Sequence, residues 1–577
     1  MRILLSYGSC GIAAGAAPVA AVLKAALPHP QIELVGCNGM CFAEPLIQLI
    51  DDQGGTYFYG NLDEKKAQIW AEELLAQGVP GQYLLGSDEI AFLQRQTRIA
   101  LRNCGRIDPE SLEAALAAGA YQGLRRAFEL GSQGVIEEIK KSGLRGRGGA
   151  GFPTWRKWQA VSENYETTKY IICNADEGDP GAFMDRSLLE GDPHNLLEGM
   201  IIAGFATRAG MGIIYVRAEY PLAVRRLQIA IGEAREAGFL GQNILNSGFD
   251  FEIRLTRGAG AFVCGEETAL IASLEGERGM PKLKPPYPAE SGYNGRPTNI
   301  NNVETYTNIP WIISQGSAKF AAMGTKDSKG TKVFALAGKI RFGGLVEIPL
   351  GLTLRELIYD IAGGMAGGRP FKAVQIGGPS GGCLPAALLD TPIDYQSLGE
   401  TGAIMGSGGM IVMDDSACMV DMARFFMDFT AAESCGKCTP CRIGTRRLGE
   451  LLTAITEGRG EEGMPEQLQT LARGIMAGAL CGLGNSAPNP VLTTLRYFPE
   501  EYQEHIAGKC RALKCSALLQ YSIDEKVCNG CGLCALKCPV QAITGEKKQA
   551  YNIDKGKCLA CGDCLDRCRF GAVQVNS

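Results

Sequence analysis

Histidine is almost missing from this sequence, with three in 577 residues, and there is neither a long apolar run nor a surplus of positive charge. So few histidines make a catalytic imidazole unexpected, and His194 in GDPHNLLEGM reads as structural rather than chemical. The most apolar stretch, GMIIAGFATRAGMGIIYV at 199–216, is broken by Arg208 and falls short of a membrane span. No cleavage-type pattern follows MRILLSYGSCG, so a cytoplasmic protein is expected. The net charge is −5 with a pI near 5.6, and charges alternate in sign rather than forming a basic stripe, which argues against nucleic acid and anionic lipid. What is present is apolar material for several cores, 46% of residues, in a length that suggests about three to five domains.

Cysteine is plentiful and unevenly placed: of 22, fourteen fall between Cys435 and Cys568. In a cytoplasmic chain thiols stay reduced, so metal ligation is the better reading than disulfides. CNGCGLCALKCP at 528–539 and CLACGDCLDRCR at 558–569 repeat a C-x2-C-x2-C-x3-C spacing. Thiolates so spaced wrap a [4Fe–4S] cube, and in two-cluster ferredoxins the fourth cysteine of each run serves the other cube. Cys528, Cys531, Cys534 and Cys568 are therefore expected on one cluster, and Cys558, Cys561, Cys564 and Cys538 on the other. ESCGKCTPCR at 433–442 offers three more thiolates, Cys435, Cys438 and Cys441, with Cys481 of LCGLGNSAPNP as the distant fourth; a zinc knuckle is the rival here, and zinc is the competing reading for the two repeats as well.

GRGGAG at 146–151 fits the G-x-G-x-x-G pattern of a nucleotide loop. The dinucleotide fingerprint needs a strand before it, whereas Val135, Ile136 and Ile139 have helical spacing, which argues against a Rossmann unit. Gly146 and Gly148 would let backbone N–H groups approach a phosphate, with Arg147 and Lys157 available for charge.

Five segments occur in order: GLRGRGGAGFPTWRKW at 143–158, CNADEGDPGAF at 173–183, GAGAFVCGEETAL at 258–270, NNVET at 301–305, and ESCGKCTPCR. Together they resemble the NADH-binding FMN/[4Fe–4S] flavoprotein subunit of the complex I 51-kDa family, over roughly 100–490. The resemblance implies that the glycine loop holds FMN and NADH in a fold other than the classical Rossmann one. It implies Asn174, Asp176 and Glu177 facing the flavin, Gly265, Glu266 and Glu267 near its ring, and Asn301 and Asn302 at the ribityl phosphate. Asp179 and Glu267 would contact NADH, and Phe152, Phe262, Lys284 and Tyr287 match positions that stack on or bind the dinucleotide. Hydride passes directly from nicotinamide to flavin, so Glu177 and Glu267 are expected to position and polarise rather than to act as bases. The Cys435 cluster would be the first one-electron acceptor.

At the start, ILLSYGSCGIAAGA and GCNGMCFAEPLI look like a thioredoxin-like [2Fe–2S] domain, which usually has four cysteines. Only Cys10, Cys37 and Cys41 are present, with Leu5 or Ser6 where the other would stand, so either an unusual ligand completes the site or the cluster is absent. His505, Cys510 and Cys515 suit a tetrahedral zinc one donor short, and Cys418 is the candidate fourth.

The expected architecture is a multidomain α/β protein: a thioredoxin-like domain at 1–90, a non-classical FMN/NAD-binding core at 100–330, and a β-grasp (SLBB-like) domain at 331–415. A helical-bundle [4Fe–4S] domain at 416–500, a zinc linker at 501–520 and a two-[4Fe–4S] ferredoxin domain at 521–577 follow. This order is similar to the beta subunit of electron-bifurcating hydrogenases and to related transhydrogenases and formate dehydrogenases. The resemblance implies FMN and NAD(H); the cysteine and histidine spacing adds three [4Fe–4S] clusters and zinc, with one [2Fe–2S] cluster left open at the N-terminal domain. The implied partners are a thioredoxin-like [2Fe–2S] subunit, a larger hydrogenase or NADP-binding flavoprotein subunit, and ferredoxin. A non-bifurcating diaphorase subunit and a redox-inactive scaffold are the alternatives.

Overall fold

A computed structural model describes residues 1–27 and 32–577. They fall into two compact units, one of Met1–Gly368, Val374–Gly381 and Ala386–Val412, the other of Arg369–Ala373, Gly382–Pro385 and Met413–Ser577.

The first unit opens with β1 (Arg2–Ser6), β2 (Ile32–Val35), β3 (Ile47–Ile50) and β4 (Thr56–Tyr59), in the order β2-β1-β3-β4. β1 and β2 are parallel and the other pairs antiparallel. Residues of β3 alternate between buried and half-buried, as a strand with one covered face requires. Leu23, Ile47, Leu49 and Trp70 join that face to helices Ala16–Ala26 and Glu64–Gln77.

The next sheet carries the candidate site. β5 (Tyr170–Ala175), β6 (Met211–Arg217), β7 (Glu252–Gly258) and β8 (Thr298–Asn302) run parallel in the order β7-β6-β5-β8. The nearly continuous apolar runs of β5 and β6 suit strands covered on both faces. The chain steps outward from β5 to β7 and then returns to β8, so strand order reverses between β5 and β8. Half of a doubly wound sheet has this order. The glycine segment departs from that plan as its sequence context suggests, for it lies between helices Gln122–Ser142 and Thr154–Glu163, ahead of β5 rather than after a first strand.

The apolar stretch at 199–216 resolves into the end of helix Pro193–Thr207 and most of β6, with Arg208 turning the chain at φ 60°. No helix among the described residues is long and apolar enough to cross a membrane. A Cβ at Gly199 would stand 2.2 Å from the Tyr306 carbonyl, so this glycine is what lets the helix pack against helix Val303–Gln315. Beyond the core, β9 (Thr331–Gly338) pairs antiparallel with β10 (Gly344–Pro349) and parallel with strand Gly409–Asp414. Lys332 of β9 and Glu304 form a fully buried ion pair at 2.6 Å, and Glu304 also accepts from the Val333 N–H at 2.9 Å. Losing either partner would strand a buried charge at a cost of about 3–5 kcal/mol.

In the second unit, helix Thr439–Thr456 buries Cys441, Thr445, Leu448, Leu452 and Ile455, one stripe of a 3.6-residue period. That stripe packs with Leu468 and Ile475 of helix Met464–Gly478. The C-terminal cysteine repeat becomes two short helices, Leu533–Lys537 and Asp563–Arg567, with strand pairs Gln520–Ile523/Val573–Asn576 and Ile543–Thr544/Asn552–Ile553.

Candidate functional site

Asn174 ends β5, Asn301 and Asn302 end β8, and the 258–267 segment leaves β7, so the expected flavin residues gather at the carboxyl ends of parallel strands, around the reversal point. Open α/β sheets bind ligands there. The Asn174 side-chain amide donates to the Gly265 carbonyl at 2.9 Å, joining β5 to the loop after β7. A Cβ on Gly265 would meet nothing closer than the Asp176 carbonyl at 3.8 Å, leaving a cradle that a planar ring could fill. Gly148 closes the other side, where a Cβ would approach that of Asn302 to 3.0 Å. Gly149 adopts φ +120°, a backbone state that side chains disfavour.

Each asparagine is fixed from behind. Asn301 Oδ1 accepts from Trp158 Nε1 at 3.0 Å, and Trp158 is fully buried. Asn302 caps helix Val303–Gln315 through its oxygen and donates to Asp185 Oδ2 at 2.5 Å. Glu177 accepts from the backbone N–H groups of Asp185 at 3.0 Å and Arg186 at 3.1 Å and from Tyr220 at 3.2 Å; burial nevertheless raises its pKa. Glu266 caps helix Glu267–Leu274, accepting from Thr268 and Ala269, and meets Lys284 at 3.0 Å. Glu267 lies between Lys157, which it contacts directly, and Lys284 at 3.6 Å. Burial first, and then the Lys284 charge, lower Lys157 to about 8, with Glu266 opposing.

Other expected residues stand apart in role or exposure. Phe152 and Tyr287 are exposed, at 46% and 55%. Phe262 lies so near Gly178 that a Cβ there would be 2.7 Å from its ring. The Asp179 carboxylate accepts from the Ser407 hydroxyl. Arg147 is turned into the protein, onto the carbonyls of Arg145 at 3.2 Å and Lys329 at 2.6 Å, while Gly146 accepts from Tyr395 at 2.9 Å. His194 is buried between Tyr121 and Glu233, away from these groups.

The cysteine runs lie in two groups. Cys528, Cys531, Cys534 and Cys568 line one pocket, and Cys538, Cys558, Cys561 and Cys564 line another. Two chambers, each walled by four thiols, fit [4Fe–4S] cubes and fit the crossed assignment. Cys438 precedes helix Thr439–Thr456, Cys441 lies in its first turn, and Cys481 precedes helix Gly482–Ser486. Burial raises the Cys441 thiol, and nearby Cys438, Cys481 and Cys435 raise it further, so these four sulfurs share one locality. The positive end of the long helix suits an anionic cluster.

Cys418, His505, Cys510 and Cys515 are all buried with donor atoms within 4.8 Å of one another. Cys418 Sγ is 3.8 Å from Cys515 Sγ and 3.3 Å from His505 Nε2. His505 Nδ1–H donates to the Glu501 carbonyl at 2.7 Å, which leaves the Nε2 lone pair for a metal. Cys10, Cys37 and Cys41 form a second tight group, and the Arg186 guanidinium lies 3.5 Å from Cys10 Sγ. Spacing gave no hint of Arg186, Asp185 or Tyr220, because only the fold brings them to Cys10, Asn302 and Glu177.

Known proteins bear the same features. The Nuo51 FMN-binding domain family matches residues 139–311, the NADH-ubiquinone oxidoreductase-F iron-sulfur binding region 421–505, and the 4Fe-4S dicluster domain 527–572. The NADP-reducing hydrogenase subunit HndC of Solidesulfovibrio fructosivorans is 57% identical over 79% of this chain and 93% of its own length. The Aquifex aeolicus NADH-quinone oxidoreductase F subunit is 45% identical over 72% of this chain and 96% of its own. A crystal structure of an NAD+-reducing [NiFe]-hydrogenase in the H2-reduced state superposes with a TM-score of 0.63, at 32% identity, over 87% of this chain and 84% of that one. The chain therefore belongs to the family of NADH-quinone oxidoreductase F subunits and their hydrogenase counterparts, and is an FMN- and iron–sulfur-binding oxidoreductase of that kind.

Proposed function

We propose that this chain oxidises NADH and delivers the electrons singly, through three [4Fe–4S] clusters, to ferredoxin and to a partner subunit's acceptor, as the flavoprotein subunit of a soluble bifurcating complex. The observation that carries the NADH reading is the Lys157–Glu267–Lys284 cluster beside the Gly265 cradle, at the strand reversal. FMN held there would supply hydride acceptance and one-electron release. The protein's own task is positional. Asn174 holds the Gly265 segment at the ring, Asn301 and Asn302 hold the phosphate side, and Glu266 and Glu267 orient the lysines that meet the dinucleotide. Phe152 and Tyr287, both exposed, would cover the nicotinamide nucleotide once it binds.

Low-potential delivery to ferredoxin rests on the two-chamber C-terminal domain, a second exit beyond the Cys435 group. A simpler diaphorase subunit without bifurcation is the second reading, favoured by the extent of the likeness to the NAD+-reducing hydrogenase. Purified with mild handling, the chain should retain FMN and reduce an artificial dye with NADH but hardly with NADPH. Loss of all flavin, or equal rates with both nucleotides, would end the NADH reading. Ferredoxin reduction that requires the partner's high-potential acceptor at the same time separates bifurcation from the simpler alternative.

The Cys418/His505/Cys510/Cys515 group is proposed as a closed structural zinc site. The Cys510 N–H donates to Ser577, so the ion would also anchor the end of the ferredoxin domain. Replacing His505 by Ala should weaken zinc binding about tenfold or more. NADH-to-dye rates should stay unchanged while delivery to ferredoxin falls; an equal fall in both would remove the anchoring role.

A further inference from the structure

The N-terminal domain carries three cysteines where a [2Fe–2S] cluster takes four protein ligands, two on each iron. Cys41 Sγ lies 3.8 Å from Cys37 Sγ and 3.8 Å from Cys10 Sγ, and all three sulfurs are within 4.8 Å of one another. Thiolates on one tetrahedral ion with bonds of about 2.3 Å are separated by about 3.8 Å. In a [2Fe–2S] cluster the two ligand pairs stand on different irons, across the bridging sulfides. Cys10 and Cys37 both at edge distance from Cys41, or nearly at it from each other, would crowd three cysteines onto one iron and leave the other with none.

No second pair can form from the neighbouring positions. Leu5 is a fully buried core side chain. The Ser6 hydroxyl donates to Glu44 Oε1 at 2.5 Å, and Glu44 Oε2 accepts from the Leu46 N–H at 3.1 Å. We propose that Cys10, Cys37 and Cys41 bind one thiophilic divalent cation, zinc in the cell, because their sulfurs stand at the edges of a single tetrahedral ion. Cys37 is buried and the other two are half-buried, so the fourth position is left to water on the exposed side.

The surroundings fit such an ion. Three thiolates and a dication leave one negative charge, which the Arg186 guanidinium balances at 3.5 Å from Cys10. The Gly39 N–H donates to Cys37 Sγ at 3.3 Å. Ser9 binds Glu190 through both its N–H, at 2.8 Å, and its hydroxyl, at 2.5 Å, so the helix bearing Cys10 is already fixed to helix Met184–Gly191. The ion would add the 37–41 loop to that joint, without a redox step.

Metal analysis of the full-length chain, purified without oxygen, tests this independently of NADH oxidation. Cys10→Ser and Cys41→Ser should each carry one zinc fewer than the parent protein, with iron and FMN unchanged. Cobalt(II) supplied in place of zinc should give thiolate-to-metal absorption that weakens in both variants. Loss of two irons in either variant, or zinc equal in all three proteins, overturns the proposal. Should a variant fail to fold, alkylation of the parent protein decides: the three thiols should be protected until a chelator is added, and immediate labelling overturns the site.

Discussion

Replacing Glu267 by Ala is expected to lower kcat/KM for NADH about a hundredfold while leaving FMN content unchanged, because a misplaced positioning group far from bond breaking costs about that much. Its carboxylate is the shared counter-charge of Lys157 and Lys284. Without it the two ammonium groups repel: Lys284 keeps Glu266 at 3.0 Å, but Lys157 is left with only the Ile300 carbonyl at 3.2 Å and is no longer tied to Lys284 where a dinucleotide phosphate or ribose would meet both. Lys157 is already lowered to about 8 by burial and by Lys284, so it loses its charge as pH rises through about 8. Removing a neighbouring negative charge disfavours the ammonium form further, so the variant's KM for NADH should begin to rise at lower pH than the parent's. Glu267→Gln keeps the shape and loses the charge, and should fall between the two. FMN is held by Asn174, Asn301 and Asn302 on this reading, hence the flavin stoichiometry separates a positioning defect from a collapsed site. Activity within about threefold of the parent at full flavin content would remove Glu267 from the site.

Spacing made the local features legible, and distance along the chain set the limit. The helix ahead of the glycine segment could be read from Val135, Ile136 and Ile139, and all three residues are buried on it. The two cysteine repeats stand out because C-x2-C-x2-C spacing lets three neighbouring thiolates reach one cube. Cys418 was a candidate by neighbourhood alone, and the fold brings it to His505 across 87 residues. Arg186 and Cys10, separated by 176 residues, share no pattern that a sequence could display. Arg147 illustrates the reverse case: an arginine in a glycine loop suggests a phosphate partner, yet two backbone carbonyls deep in the protein take its guanidinium. The doubly wound strand order was equally hidden, since it depends on where β8 inserts and not on any motif in β8 itself.

The other large effect is expected in the ferredoxin domain, where the crossed ligand sets can be separated from uncrossed ones by pairing substitutions. Cys568 lines the chamber of Cys528, Cys531 and Cys534, and Cys538 lines the chamber of Cys558, Cys561 and Cys564. A single Cys→Ala change in either run should remove about four irons whichever way the ligands are shared. Pairs discriminate. Cys531→Ala with Cys568→Ala strikes one cube twice, so iron should fall by about four and the remaining cube should keep its signal. Cys531→Ala with Cys538→Ala strikes both cubes, and about eight irons should be lost. Uncrossed ligation reverses the two results. In both double variants NADH-to-dye activity should persist, because the residues proposed to bind the nucleotide belong to the first unit and keep their own hydrogen bonds. Ferredoxin reduction should vanish in the variant that loses both cubes. If that variant still reduces ferredoxin at the parent rate, the C-terminal domain is not the exit.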